Sequence, residues 1–153
     1  MPYKTFWVLL VLSFLSACAD STKTATLEDL RTREVRLPNG EKYRAEVVTS
    51  KFDMSRGMMF RDSLAPDRGM LFIHGEPGLY AYWTYQVRIP LDLIWMDQNR
   101  LVTEIVPNAQ PCKSDSASTC PKFGGNKRSL FVLELNAGMA AKHGLKPGDR
   151  IDF

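Results

Sequence analysis

Leu91-Asp92-Leu93-Ile94-Trp95-Met96 is the stretch that decides the fold. It is apolar at every position but one, and Gln98-Asn99 sets a turn just beyond it. A short apolar run bounded by a turn signal reads as a buried strand. Its one charged residue then matters. A carboxylate between Leu91 and Leu93 needs a partner, because burying an unpaired charge is costly.

Working outward, Leu101 to Val106 reads as the next strand, and Cys112 to Gly125 as a long polar loop. Leu130 to Leu135 repeats the pattern of the first run, with Glu134 between Leu133 and Leu135. Asn136 is placed to cap a helix over 137–143, and Gly144 to end it in the left-handed conformation. Leu145 is then expected to fold back onto Met139 or Ala140. Lys146-Pro147-Gly148-Asp149 turns the chain into a last strand, Arg150 to Phe153.

Toward the start, Leu79 to Tyr85 forms an aromatic strand, separated by Gly75-Glu76-Pro77-Gly78 from one at Met70 to Ile73. Ser50 and Asp53 have the spacing of a capping box, opening a short helix that runs on to Phe60. Tyr43 to Val48 alternates, and Asn39-Gly40 is a hairpin turn that joins it to a strand over Glu34 to Pro38. These pieces predict a mostly β, α+β domain: a compact, barrel-like antiparallel or mixed sheet of about seven or eight short strands with two short helices. Closure would leave no free sheet edge.

The leader is read separately. Lys4 precedes an apolar run from Phe6 to Leu15, which ends in Leu15-Ser16-Ala17-Cys18. Basic, apolar and small residues in that order make a secretory signal, and a cysteine directly after the small pair makes it a bacterial lipobox. The run is about ten residues, half of what a bilayer-spanning helix needs. The division expected is a signal peptide over 1–17, lipidated Cys18 with a polar tether over 18–33, and a globular domain over 34–153. The partner implied is the membrane, through the lipid anchor, and the location is the cell envelope, facing the periplasm. Ala19 rather than an aspartate after the cysteine points to the outer membrane. In that compartment Cys112 and Cys120 are expected to pair as a disulfide.

The chain has 153 residues, 44% of them hydrophobic, and a formal net charge of +3. The basic residues between Lys122 and Arg128 are too dispersed for a nucleic-acid surface. No phosphate loop or dinucleotide fingerprint is present, and no cofactor is expected. His74 and His143 stand in no ligand spacing with the cysteines, and no metal is expected. Met54, Met58, Met59 and Met70 offer soft thioethers, but at these spacings they read as core filler rather than copper ligands. His74 reads as a surface loop residue. Ser129 and His143 lack a nucleophile elbow, which argues against a triad.

Five ordered blocks resemble the DUF192 (UPF0127) family: Gly57-Met58-Met59-Phe60-Arg61; Gly69-Met70-Leu71-Phe72; Trp83 with Ile89-Pro90-Leu91-Asp92; Val132 through Gly138; and His143 through Asp149. Members commonly read Trp-Met-Lys-Asn-Thr where this chain has Trp83-Thr84-Tyr85-Gln86-Val87. The resemblance therefore implies that Gln86 stands in for an asparagine. It implies a fold, but no reaction.

The candidate cleft consists of Arg61, Trp83, Gln86, Asp92 and Glu134. Arg61 paired with Asp92 or Glu134 would satisfy the buried charges, and such a network can be purely structural. The favoured function is a lipid-anchored envelope module that binds a protein, small ligand or glycan. The alternative is a hydrolase or lyase on an envelope polymer, with Asp92 and Glu134 as acid and base and Trp83 stacking on a ring.

Overall fold

The computed structural model describes Met1 and residues 31–153. The signal peptide, Cys18 and most of the expected tether lie outside the described residues. The first strand, β1 (Thr32–Arg36), begins two residues before the expected boundary and pairs antiparallel with β2 (Lys42–Val48). Helix α1 (Lys51–Arg56) crosses to β3 (Arg68–Gly78), which lies parallel to β2. Next come β4 (Tyr82–Trp83), β5 (Leu91–Met96), β6 (Val102–Ala109), β7 (Lys122–Phe123), β8 (Ser129–Asn136) and helix α2 (Met139–Lys142). Six strands form one mixed sheet in the order β1-β2-β3-β8-β5-β6, and β4 and β7 form a separate pair. The domain is predominantly β with two short helices, as expected.

The sheet does not close into a barrel. Its outer strands, β1 and β6, are tied by the terminal segment: Arg36 N donates to Asp152 O at 2.7 Å, and Ile151 N to Arg100 O at 3.1 Å. Single bridges link Arg36 to Asp152 and Leu101 to Arg150, so the expected last strand is a strap between two edges rather than a ladder.

Every residue of β5 is buried, which makes it a strand covered on both faces. Alternation sends Ile94 and Met96 to a core with Leu71, Leu133, Leu135 and Ala140 of α2. It sends Leu91, Leu93 and Trp95 to a second core with Met70, Phe72, Val132 and Met58, the core against which Met54 of α1 packs. Burying each of these large side chains contributes about 1.5 to 3 kcal/mol.

The two carboxylates divide the same way. Asp92 pairs in register with Leu135, and Leu93 with Glu134, so Asp92 faces the α2 side and Glu134 the α1 side. One substrate cannot meet both. The acid–base pair of Asp92 and Glu134 is thereby overturned.

Asp92 is wholly buried and collects backbone donors instead. Its Oδ1 accepts from Asn108 N at 2.8 Å and Gly138 N at 3.1 Å, and its Oδ2 from Ala140 N at 2.7 Å. It thus caps α2 from a neighbouring strand, the part expected of Asn136. Asn136 ends β8, and its Nδ2 donates to Leu64 O at 3.0 Å. The C-terminal end matches expectation: Gly144 takes φ +65°, and Leu145 N donates to Ala140 O at 2.9 Å. Ser50 caps α1 as expected, accepting from Asp53 N at 3.1 Å. The helix stops at Arg56 rather than Phe60, because Gly57 turns the backbone to φ +42°. β3 runs through Gly78, absorbing Gly75-Glu76-Pro77 as an irregularity in its register with β8 instead of breaking there.

Asp92→Asn puts an amide where three N–H groups converge. It is expected to lower unfolding free energy by about 2 to 4 kcal/mol, read from urea denaturation. A change within ±0.5 kcal/mol, the usual range for surface substitutions, would refute the cap.

Candidate functional site

On the α1 side, the segment Tyr80 to Tyr85 lies over the sheet and roofs a cavity. Several contacts hold it down. Trp95 Nε1 donates to Tyr80 O at 2.8 Å, and β4 pairs with β7. Gly124 and Gly125 make that approach possible. A Cβ on Gly124 would lie 2.4 Å from the Trp95 ring, and one on Gly125 2.7 Å from Ala81 N. Thr84 Oγ1 donates to Gln110 O at 2.8 Å, and Cys112 N to Thr84 O at 3.2 Å. Cys112 is joined to Cys120, their Cα atoms 5.7 Å apart, which closes the loop beside this anchor.

The cavity measures about 290 Å³. Met54, Met58 and Gly57 border it from α1 and its exit, Phe72 and His74 from β3, and Tyr80, Tyr82 and Trp83 from the roof. Glu134 of β8 lies at its base, and the exposed Arg56 and Lys122 at its edge. Tyr82 is the hub. Its ring meets Phe72, His74 and Trp95 edge-on, at centroid separations of 5.1, 6.2 and 5.7 Å. His74 stacks flat on Tyr80 at 3.5 Å and shares a hydrogen bond with the Tyr82 hydroxyl at 3.1 Å.

Glu134 is the electrostatic anomaly. It is 5% exposed, and its Oε2 has no hydrogen-bond partner. Burial pushes its carboxyl up to about 8, against a smaller opposing pull from Arg61. Burial also raises the Tyr82 phenol, with Glu134 and Tyr80 adding to it, and lowers the His74 imidazole. At neutral pH the base of the cavity is therefore a protonated acid beneath uncharged aromatic rings.

Of the five residues expected to form a cleft, Trp83 and Glu134 come together at this cavity. Arg61 pairs with neither expected carboxylate. Its two terminal nitrogens bind Glu46 at 2.5 and 2.7 Å, and Glu46 is pulled below the usual carboxylate range mainly by that bond. Gln86 contributes backbone: at φ +56° its carbonyl accepts from Phe60 N at 2.8 Å. Asparagine tolerates that left-handed conformation better than glutamine. Ser129 bonds Thr103 at 2.9 Å and His143 bonds Tyr43 at 2.8 Å, in separate places. His74 is half-buried on β3, not a loop residue. The alternation Met70-Phe72-His74 carried that signal. Among the described residues no three His, Cys, Asp or Glu side chains are grouped to hold a metal.

The predominantly β fold is shared with solved structures of other proteins. A protein of unknown function from Novosphingobium aromaticivorans DSM 12444 is similar at TM-score 0.70 and 31% identity, over 80% of this chain and 85% of that one. A Sinorhizobium meliloti 1021 protein, provisionally described as a transcription regulator, is similar at TM-score 0.68 and 29% identity, over 78% and 89%. No curated protein matches. The DUF192 family model, described as "Uncharacterized ACR", matches residues 34–153, and the chain belongs to that family.

Two measurements check this geometry. The folded protein holds a proton on Glu134 that the unfolded chain has lost above the ordinary carboxylate range. Stability from this group is therefore full at low pH and falls as pH rises through about 8. Glu134→Gln should remove that fall, and Glu134→Met should raise the urea midpoint at pH 8. Equal pH slopes in variant and wild type would refute the assignment. Separately, replacing Cys112 and Cys120 by serine should cost about 2.5 kcal/mol from loop closure and change Trp83 emission. Unchanged emission would mean that the bridge does not hold the roof.

Proposed function

We propose that this chain is a lipid-anchored envelope protein whose DUF192 domain binds a small organic ligand, without turning it over, in the cavity between Glu134 and the aromatic roof. The observation that carries the reading is the unpartnered carboxyl at the base of that cavity. A buried polar atom without a partner costs stability, and replacing such a group with an apolar side chain is often stabilising. Its presence at the base of a cavity, and not in a sealed core, makes sense when a ligand completes it. Trp83, 38% exposed at the roof, offers an apolar face to that ligand. The lipobox ending in Cys18 supports anchoring, with the domain facing the periplasm and the outer membrane as the favoured site.

The reading is tested on full-length protein extracted from envelope membranes. Mass spectrometry is expected to show an acylated N-terminal peptide beginning at Cys18. Native spectra are expected to show a small-molecule adduct that disappears when Ala81→Trp fills the cavity. A chain that retains Met1 without acyl groups would sink the anchoring, and an adduct profile indifferent to Ala81→Trp would sink the binding site.

A further inference from the structure

The distribution of charge in the cavity narrows the ligand's chemistry. Its one acidic group lies at the base, 5% exposed, while Arg56 and Lys122 stand exposed at the edge. Aromatic side chains occupy the space between. Taking the cavity as a ligand site, as above, we propose that it selects a zwitterionic small molecule, with its ammonium end inward on Glu134 between aromatic faces and its anionic end outward at Arg56 and Lys122.

Three observations carry this. First, Glu134 has no internal counter-ion bonded to it. Arg61, the cation whose field reaches it, is held bidentate by Glu46, and Met70 separates the two carboxylates in the register of the sheet. An arriving ammonium supplies both the missing donor and the missing charge. Second, the walls favour a cation. Tyr82 and Trp83 line the same cavity as Glu134, and the face of an aromatic ring attracts a desolvated ammonium where it would repel an anion. Third, the volume of about 290 Å³ sits at the small end of ligand pockets, which excludes an enclosed polymer and favours a short molecule with its charged ends a few bonds apart.

Proton traffic follows. In the empty cavity Glu134 carries a proton at neutral pH. An entering ammonium stabilises the carboxylate and drives that proton to bulk buffer. The neighbouring ionisable groups do not duplicate this signal. Burial disfavours charge on both His74 and Tyr82, and Glu46 already neutralises Arg61. A sugar hydroxyl or a carboxylate entering the same space would release no proton.

Calorimetry on the full-length chain in non-ionic detergent at pH 7, repeated in phosphate and MOPS, distinguishes these cases. The probes are 4-aminobutyrate, butylamine, butyrate and N-acetylglucosamine. The expected order is 4-aminobutyrate first, butylamine second, and the other two at least about tenfold weaker, with close to one proton released for each ammonium bound. Glu134→Gln should abolish the proton release and weaken 4-aminobutyrate about tenfold or more. The double variant Arg56→Ala, Lys122→Ala should erase the advantage of 4-aminobutyrate over butylamine and leave proton release intact. Butyrate or N-acetylglucosamine binding as tightly as 4-aminobutyrate would overturn the charge assignment while leaving the cavity a ligand site. Binding without proton release would overturn it too. So would silence of 4-aminobutyrate up to ~10 mM, and the adduct experiment then decides independently whether the cavity binds anything.

Discussion

Three backbone N–H groups, from Asn108, Gly138 and Ala140, converge on the Asp92 carboxylate, and one half of the molecule is arranged around them. Asn108 ties in the far end of β6, while Gly138 and Ala140 begin α2. A charged acceptor without solvent forms strong hydrogen bonds, and leaving its donors unmet is correspondingly expensive. Helix α2 spans only Met139–Lys142, too short to persist by itself in water. It exists because the Asp92 carboxylate of β5 holds its first turn in place. The α2 face of the sheet is thus a closed structural unit in which every atom of the key carboxylate is satisfied.

The opposite face treats its carboxylate differently. Glu134 sits one register step from Asp92 across the β5–β8 ladder, yet receives no such set of donors. The roof above it is pinned by a tryptophan indole, two glycines and a two-stranded pair, and Tyr82 reaches down to the rings of Phe72 and Trp95. The result is a volume lined by flat rings, with an acid that favours its neutral form. Stability is forgone at this carboxylate and secured at the other.

Much of the strand pattern is legible in the amino-acid sequence itself. β5 and β8 announce themselves as apolar runs, and the caps at Ser50 and Gly144 follow from local chemistry that needs no distant partner. Asp92 and Glu134 stand out for the same reason, as charges in apolar runs. What the runs do not reveal is which face each charge occupies, because that depends on the pairing of Leu93 with Glu134, a relation between separate segments. The Arg61–Glu46 pair was hidden because Glu46 lies in an alternating strand, where a charge looks solvent-facing. The cavity itself depended on the passage of Tyr80 to Tyr85 across the sheet, a path set by glycines forty residues downstream, about which local propensity is silent.

The terminal strap between β1 and β6 bears on how the chain acquires this structure. Arg36 cannot find its partner until Asp152 has been synthesised, so β1 carries an unsatisfied outer edge until then. Native closure is therefore a late event. A chain that lacks Asp152 presents an open β edge to its neighbours.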